Sequence, residues 1–387
     1  MAGMDEQEWQ QEYAMLALRL NRHLNGAGLV YRGPAEWSKR AQAEPVRPPG
    51  DLIAGADRLL DRELTPYLRA QVVAMRAVAR YLDGERLPLT DYGELVLGLR
   101  PRWVPELVFE EAHDRLDAAL PRAAGSLSDR LHAWQSAHAL DQIDRLPALV
   151  DKAVAETRAR TEAIVPLPPD EVVGCHLVPE AHFHAAGHYA GDLKSVIFIN
   201  TGIPFNVADL FYVVAHEGHP GHIAESMLKD LGATRTDQRV RFMLAPSFAL
   251  SEGLGLCAEE ILFPGDEAQA WLTDNVLAEL GIRPDGSDFA AIHLVKNALW
   301  GVWGNVAFLA AEGRTDEELA GYLARWCLYD DAEIARALPL LRPSAMSPYM
   351  FGYFHGWELL RPWLADPANV RRLLTEQLLP SDVAKPV

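Results

Sequence analysis

A proline and a glycine interrupt the most chemically loaded stretch of this chain. Val213-Val214-Ala215-His216-Glu217-Gly218-His219-Pro220-Gly221-His222 closes an apolar run with three histidines and one glutamate in seven positions. Asn206 ahead of it is a suitable helix cap, and Leu210, Val213 and Val214 give the run a buried helical face. The helix cannot pass regularly through Pro220, which has no N–H and whose ring meets the carbonyl of His216. Side-chain direction therefore becomes the central constraint. A helix turns about 100° per residue, so a ligand four places after His216 would share its face, but that place is Pro220. His222, six places on, would lie ~120° round the cylinder. A kink or π-bulge at Pro220, eased by Gly221, is expected to bring His222 toward His216; the undistorted alternative pairs His216 with His219, ~60° away.

Histidines around a His-Glu pair suit zinc, with the glutamate as general base on a water molecule. Catalytic zinc takes three protein ligands and keeps one position open, so two histidines need a third partner. Glu252 is expected to supply it, because an acid on a mostly apolar helix needs a counter-charge. Glu259 falls on the same face and suits an outer role, fixing a ligand imidazole, or that of an alternative ligand. His219 holds the same two options. Glu217 is left as the general base, and Tyr349, Tyr353 and His355 are candidates to hydrogen-bond a developing oxyanion. His188 or Tyr189, expected on a turn before a strand, would line the cleft. His176, His182, His184 and His188 are close in sequence and read more readily as structural histidines than as a second metal site.

The remainder of the chain reads as mainly α with a minor β part. Helices are expected over 6–22, from Asp51, from the Thr65-Pro66 cap through Leu82, then near 91–99, 104–120, 127–138 and 140–164. Residues 25–50, rich in glycine and proline, read as an irregular connection. Pro166-Leu167-Pro168-Pro169 marks a boundary between a helical part, 1–165, and a metal-site part, 166–387, together forming one compact unit with a cleft between. Glu171–Val178 and Ser195–Asn200 read as strands of one small sheet. Further helices are expected over 238–262, from Ser287 to about Ala311, and from the Thr315–Glu318 capping box. Trp300 and Trp303, with Gly301 and Gly304, suggest close helix packing.

Charge narrows the partners. A formal net charge of -18 over 387 residues repels phosphate backbones and anionic lipid, so neither nucleic acid nor membrane is expected. Ala298–Ala311, the most apolar stretch, is broken by Asn305 and is shorter than a spanning helix. Three scattered cysteines with no C-x-x-C, and an acidic start without a leader pattern, fit a reducing cytoplasm.

The motif residues resemble those of a bacterial family, domain of unknown function 885, whose members are similar to zinc metallopeptidases. Its H-E-x-x-P-G-H-H motif is matched by His216, Glu217, Pro220, Gly221 and His222, and its E-G-W-A-L-Y-x-E motif by Glu252, Gly253, Leu256 and Glu259. Gly187-His188-Tyr189 through Asn200 resembles the family's approach to the first motif. Ile223, Leu254 and Cys257 depart from the pattern, so the resemblance carries the ligands and not the pocket lining. It implies a helical, oligopeptidase- or gluzincin-like frame with the metal in a deep cleft, and it favours His222 over His219.

The expected activity is a zinc-dependent hydrolase with one Zn2+, acting on small peptides or amide-containing small molecules. Two other readings share the ligands: a metal enzyme on a small biosynthetic metabolite, including a non-haem iron or lyase type, and a non-catalytic helical protein with a structural metal. Arg235, Arg239, Arg241 and Arg342 are equal candidates to anchor a substrate carboxylate.

Overall fold

The computed structural model describes residues 2–181 and 183–384, with the side chains of 2–6 left out of account. It is mainly helical with two small sheets. Local signals placed most of the helices. Thr65 accepts a hydrogen bond from the Leu68 N–H and opens the helix Pro66–Leu82. Asp288 caps Phe289–Ala311, and Thr315 with Glu318 forms the reciprocal capping box of Asp316–Trp326.

The stretch expected to be irregular holds the first corrections. Leu29–Tyr31 forms a strand, β1, and Ala35–Ala43 a helix. Strands β2 (Val172–Val178), β3 (Ala185–Gly191) and β4 (Lys194–Asn200) make one sheet in the order β2-β4-β3. β4 runs parallel to β2 and antiparallel to β3. Residues 240–242, expected to be helical, form β5, which pairs antiparallel with β1. The helix then starts at Pro246, because proline is suited to a first turn and not to the preceding ladder.

Pairing of β1 with β5 joins the two sides of the proline boundary. Phe242, Leu244 and Ala249 are buried in the same core as Leu16, Val72 and Val96. A second core packs Leu149 and Val150 against Phe211 and Val214. Helix Pro246–Leu262 lies against Tyr349–Leu360, where a Cβ on Gly253 would stand 2.4 Å from the Gly356 backbone. That close approach holds the acid-bearing helix and the tyrosine-bearing helix together. Cys175, Cys257 and Cys327 are free thiols. No helix among the described residues is long and apolar enough to cross a membrane.

Candidate metal centre

Pro220 breaks the motif into two helices where a kink or π-bulge was expected. One helix, Leu210–Glu217, ends directly after the His-Glu pair, and another, His222–Leu231, starts at the last histidine. The His219–Pro220 peptide is cis. Between them the Gly221 N–H donates to the Ala215 carbonyl at 3.0 Å, folding the connection back on the helix it leaves. A Cβ at Gly221 would lie 1.7 Å from the His216 carbonyl oxygen, so only glycine fits this return. The result places the His216 and His222 rings 4.8 Å apart and nearly perpendicular.

Glu252, on the helix Pro246–Leu262, enters from the other side. Its Oε2 is 3.5 Å from His216 Nε2 and its Oε1 is 3.6 Å from His222 Nε2. Donor atoms about 2.0–2.1 Å from one tetrahedral ion stand about 3.3–3.4 Å apart, close to both separations. Glu252 is 2% exposed, yet its Oε2 has no hydrogen-bond partner. A buried carboxylate that faces an imidazole nitrogen with each oxygen, and has no donor on one of them, fits a cation at the shared point. His216, Glu217 and His222 also form a half-buried group whose ligand atoms lie close enough to hold a metal ion. Glu217 is the more distant acid, 4.0 Å from His216 Nε2. Its Oε2 accepts the Gly187 N–H of β3 at 2.7 Å, which orients the carboxylate and leaves Oε1 toward the histidines.

An outer set of groups holds this arrangement. His222 Nδ1 lies 3.1 Å from the Ser251 hydroxyl, which itself donates to the buried Glu225. Ser251 therefore accepts the Nδ1 proton and keeps the Nε2 lone pair free for a metal. Burial alone would raise the Glu225 pKa, but Arg241 and Lys229 hold it down at about 2. The Tyr349 hydroxyl donates to Glu252 Oε1. Tyr353 packs edge-on against Tyr349 and stacks on Trp300 at 4.0 Å. Burial, then the neighbouring Glu252, raises both phenol pKa values well above normal, so both keep their protons as donors. With no metal present, His222 is raised to about 9: burial opposes the charge, and Glu252 more than restores it.

Several expected site residues lie elsewhere. His219 is 0% exposed and points away, with Nε2 at 2.9 Å from the buried carboxylate of Glu171, the residue just before β2. The chain reversal at Pro220 turns it to that side. Glu259 does not support a ligand imidazole; its Oε2 binds His293 Nδ1 at 2.6 Å. His355 faces Arg102, whose backbone N–H donates to its Nε2 at 3.3 Å and whose guanidinium lies 3.2 Å from its Nδ1. Being two residues after Tyr353, it occupies another face of the same helix. Burial lowers its pKa to about 4. His188 and Tyr189 belong to β3, not to a turn: His188 is exposed, while Tyr189 is buried and covered by the Arg32 guanidinium. Alternation along the strand gives the cleft the Gly187 N–H in their place. Of the clustered histidines, His176 packs on Phe198 and His184 on Phe205, while His182 lies outside the described residues. Of the candidate arginines, Arg235 pairs with Asp237, Arg239 with Asp230 and Arg342 with Asp316, while Arg241 pairs with Glu225 in the group that holds Ser251 and His222.

No family model matches the chain, and no curated protein does. Among solved structures it is similar to a candidate lipoprotein from Colwellia psychrerythraea, with TM-score 0.52 and 16% identity over 90% of this chain and 57% of that one. It is also similar to a candidate lipoprotein of unknown function from Shewanella oneidensis, with TM-score 0.50 and 13% identity over 86% of this chain and 68% of that one. The chain thus spans 57% of the length of the first of these structures. At such identities the likeness concerns the fold.

Proposed function

We propose that the chain is a zinc-dependent hydrolase of peptide or related amide bonds, on a metallopeptidase-like helical frame akin to that of the domain-of-unknown-function-885 proteins. The observation that carries this reading is the buried Glu252 carboxylate, whose Oε2 has no hydrogen-bond partner and faces His216 Nε2 while its Oε1 faces His222 Nε2, with Glu217 oriented beside them. His216, His222 and Glu252 would hold the ion. Zinc supplies a fixed positive charge that polarises a water molecule and a carbonyl oxygen.

The chain's own groups supply the remaining chemistry. Glu217, anchored through Oε2 by Gly187, takes a proton from water at Oε1 and passes it to the leaving nitrogen. Tyr353, protonated and braced by Trp300, donates toward the developing oxyanion. Tyr349 is already committed to Glu252 and serves to orient that carboxylate.

The test is Glu217→Gln on the zinc-loaded protein. It should keep stoichiometric zinc by elemental analysis and lose about 10²–10⁴-fold in turnover against a library of short peptides. Full turnover in the variant would refute the role. Two histidines and one carboxylate are also the donor set of non-haem iron enzymes. Iron rather than zinc in the protein as isolated, with oxygen-dependent turnover, would select that reading instead.

A further inference from the structure

Beside the metal centre lies a buried charge network that the proposed hydrolysis leaves unused. Asp209, just ahead of the His216 helix, meets His293 and Lys296 on the helix Phe289–Ala311. His293 Nε2 is 3.0 Å from Asp209 Oδ1, and its Nδ1 is 2.6 Å from Glu259 Oε2. Carboxylate oxygens only accept, so both ring nitrogens carry protons, and the imidazolium together with the Lys296 ammonium balances the carboxylates of Asp209 and Glu259. Lys296 Nζ binds the same Asp209 oxygen at 2.5 Å. His293, Asp209 and Glu259 side chains are at most 11% exposed, while Lys296 is 26% exposed. An ammonium has three donors, and Asp209 takes one. The solvent-facing end of the network is therefore a cation with donors to spare.

Its position is beside the helix that carries His216. The Lys296 ammonium lies 5.8 Å from the ring of Tyr212 and 5.9 Å from that of Trp134. Tyr212 stands one helical turn, about 6 Å, ahead of His216 on the same face. His184, at the approach to β3, is within electrostatic reach of Asp209, Lys296 and Glu217 together. One turn beyond Lys296, Trp300 carries the Tyr353 ring that faces Glu252 and Glu217. The face of this helix thus runs from a cation to an aromatic platform alongside the proposed general base. In a chain of net charge -18, such a local cation favours the approach of a substrate carboxylate.

We infer that Lys296 binds the terminal carboxylate of a short peptide substrate, making the enzyme selective for free C-termini. The inference rests on the hydrolase reading above for its substrate class. Lys296 lies on the order of 10 Å from the ligand atoms, and an extended residue spans about 3.3–3.6 Å, so the carboxylate sits two or three residues beyond the cleaved bond. The ammonium keeps its bond to Asp209 and offers its remaining donors to the substrate, so the buried carboxylates stay paired.

The experiment uses the zinc-loaded full chain and peptides of three to five residues, each as the free acid and as the C-terminal amide. Calorimetric binding is measured on the Glu217→Gln background, and hydrolysis on the wild-type protein. Free acids should bind about 10- to 100-fold more tightly than amides. Lys296→Met should erase that preference and raise KM for free acids with kcat within about twofold, and Lys296→Arg should restore part of it; circular dichroism checks that each variant is folded. Equal binding of acids and amides, a preference that survives Lys296→Met, or binding of neither form overturns the inference. Hydrolysis without any preference removes only the Lys296 subsite. A Lys296-dependent preference without hydrolysis of any peptide removes the hydrolase reading and keeps the subsite.

Discussion

Gly255 offers a direct way to displace a metal ligand without touching it. A Cβ at this position would lie 2.5 Å from Cε1, 2.6 Å from Nδ1 and 2.7 Å from Nε2 of His216. Non-bonded carbon contacts settle at about 3.5–4.0 Å, so in Gly255→Ala the imidazole must retreat by about 1 Å. Metal–ligand distances tolerate about 0.2 Å, and the forced shift is several times larger. The ring has little room to comply, since the Gly221 return packs against the backbone of His216 itself. Overpacking of this kind costs about 1–3 kcal/mol, and replacing glycine by alanine inside a helix returns about 0.5–1 kcal/mol. The metal-free variant should accordingly lose at most about 2.5 kcal/mol by urea unfolding, a modest effect. Zinc affinity, read by competition with a chromophoric chelator, should fall by more than the 10- to 100-fold that loss of an outer partner costs. Gly321→Ala is the control. A Cβ there meets nothing within 4 Å in an exposed helix, so it should gain up to about 1 kcal/mol and leave zinc unchanged. Wild-type zinc affinity in Gly255→Ala would show that His216 is not held where the geometry places it.

Two other perturbations separate the ligand set from the neighbouring network. Glu252→Gln keeps the volume and an acceptor for Tyr349 but removes the ligand charge; zinc content should drop to background while circular dichroism stays native, and undiminished zinc would remove Glu252 from the site. His293 tests the buried network through pH. Burial would lower its pKa, but Glu259 and Asp209 raise it to about 9, above its unfolded value of about 6.5. Its contribution to stability is therefore complete below about pH 6.5 and fades as pH rises through about 9. The gap in unfolding free energy between wild type and His293→Gln should be widest at pH 6 and narrow by pH 9.5; a gap independent of pH would refute the pairing.

Residue types and spacing determined the helical class, the cap of Pro66–Leu82, the capping box at Thr315, and the grouping of His216, Glu217, His222 and Glu252 as the chemistry-bearing set. These follow from local rules: a capping oxygen acts over three residues, and a proline fixes what its own helix cannot do. The direction of each side chain was decided only in three dimensions. Pro220 and Gly221 allow a kink, a bulge or a full break, and the break turns His222 inward and His219 out toward Glu171 because β2 and β3 are packed there to receive it. Tyr353 and His355 are two residues apart, and the packing of one helix between Trp300 and Arg102 sends one toward Glu252 and the other away. Lys296 carried no signal in the string, since its partner Asp209 meets it through a contact spanning 87 residues. Short-range stereochemistry is written into neighbouring residues, whereas a binding site is assembled from distant ones, and burial selects which of their charges face each other.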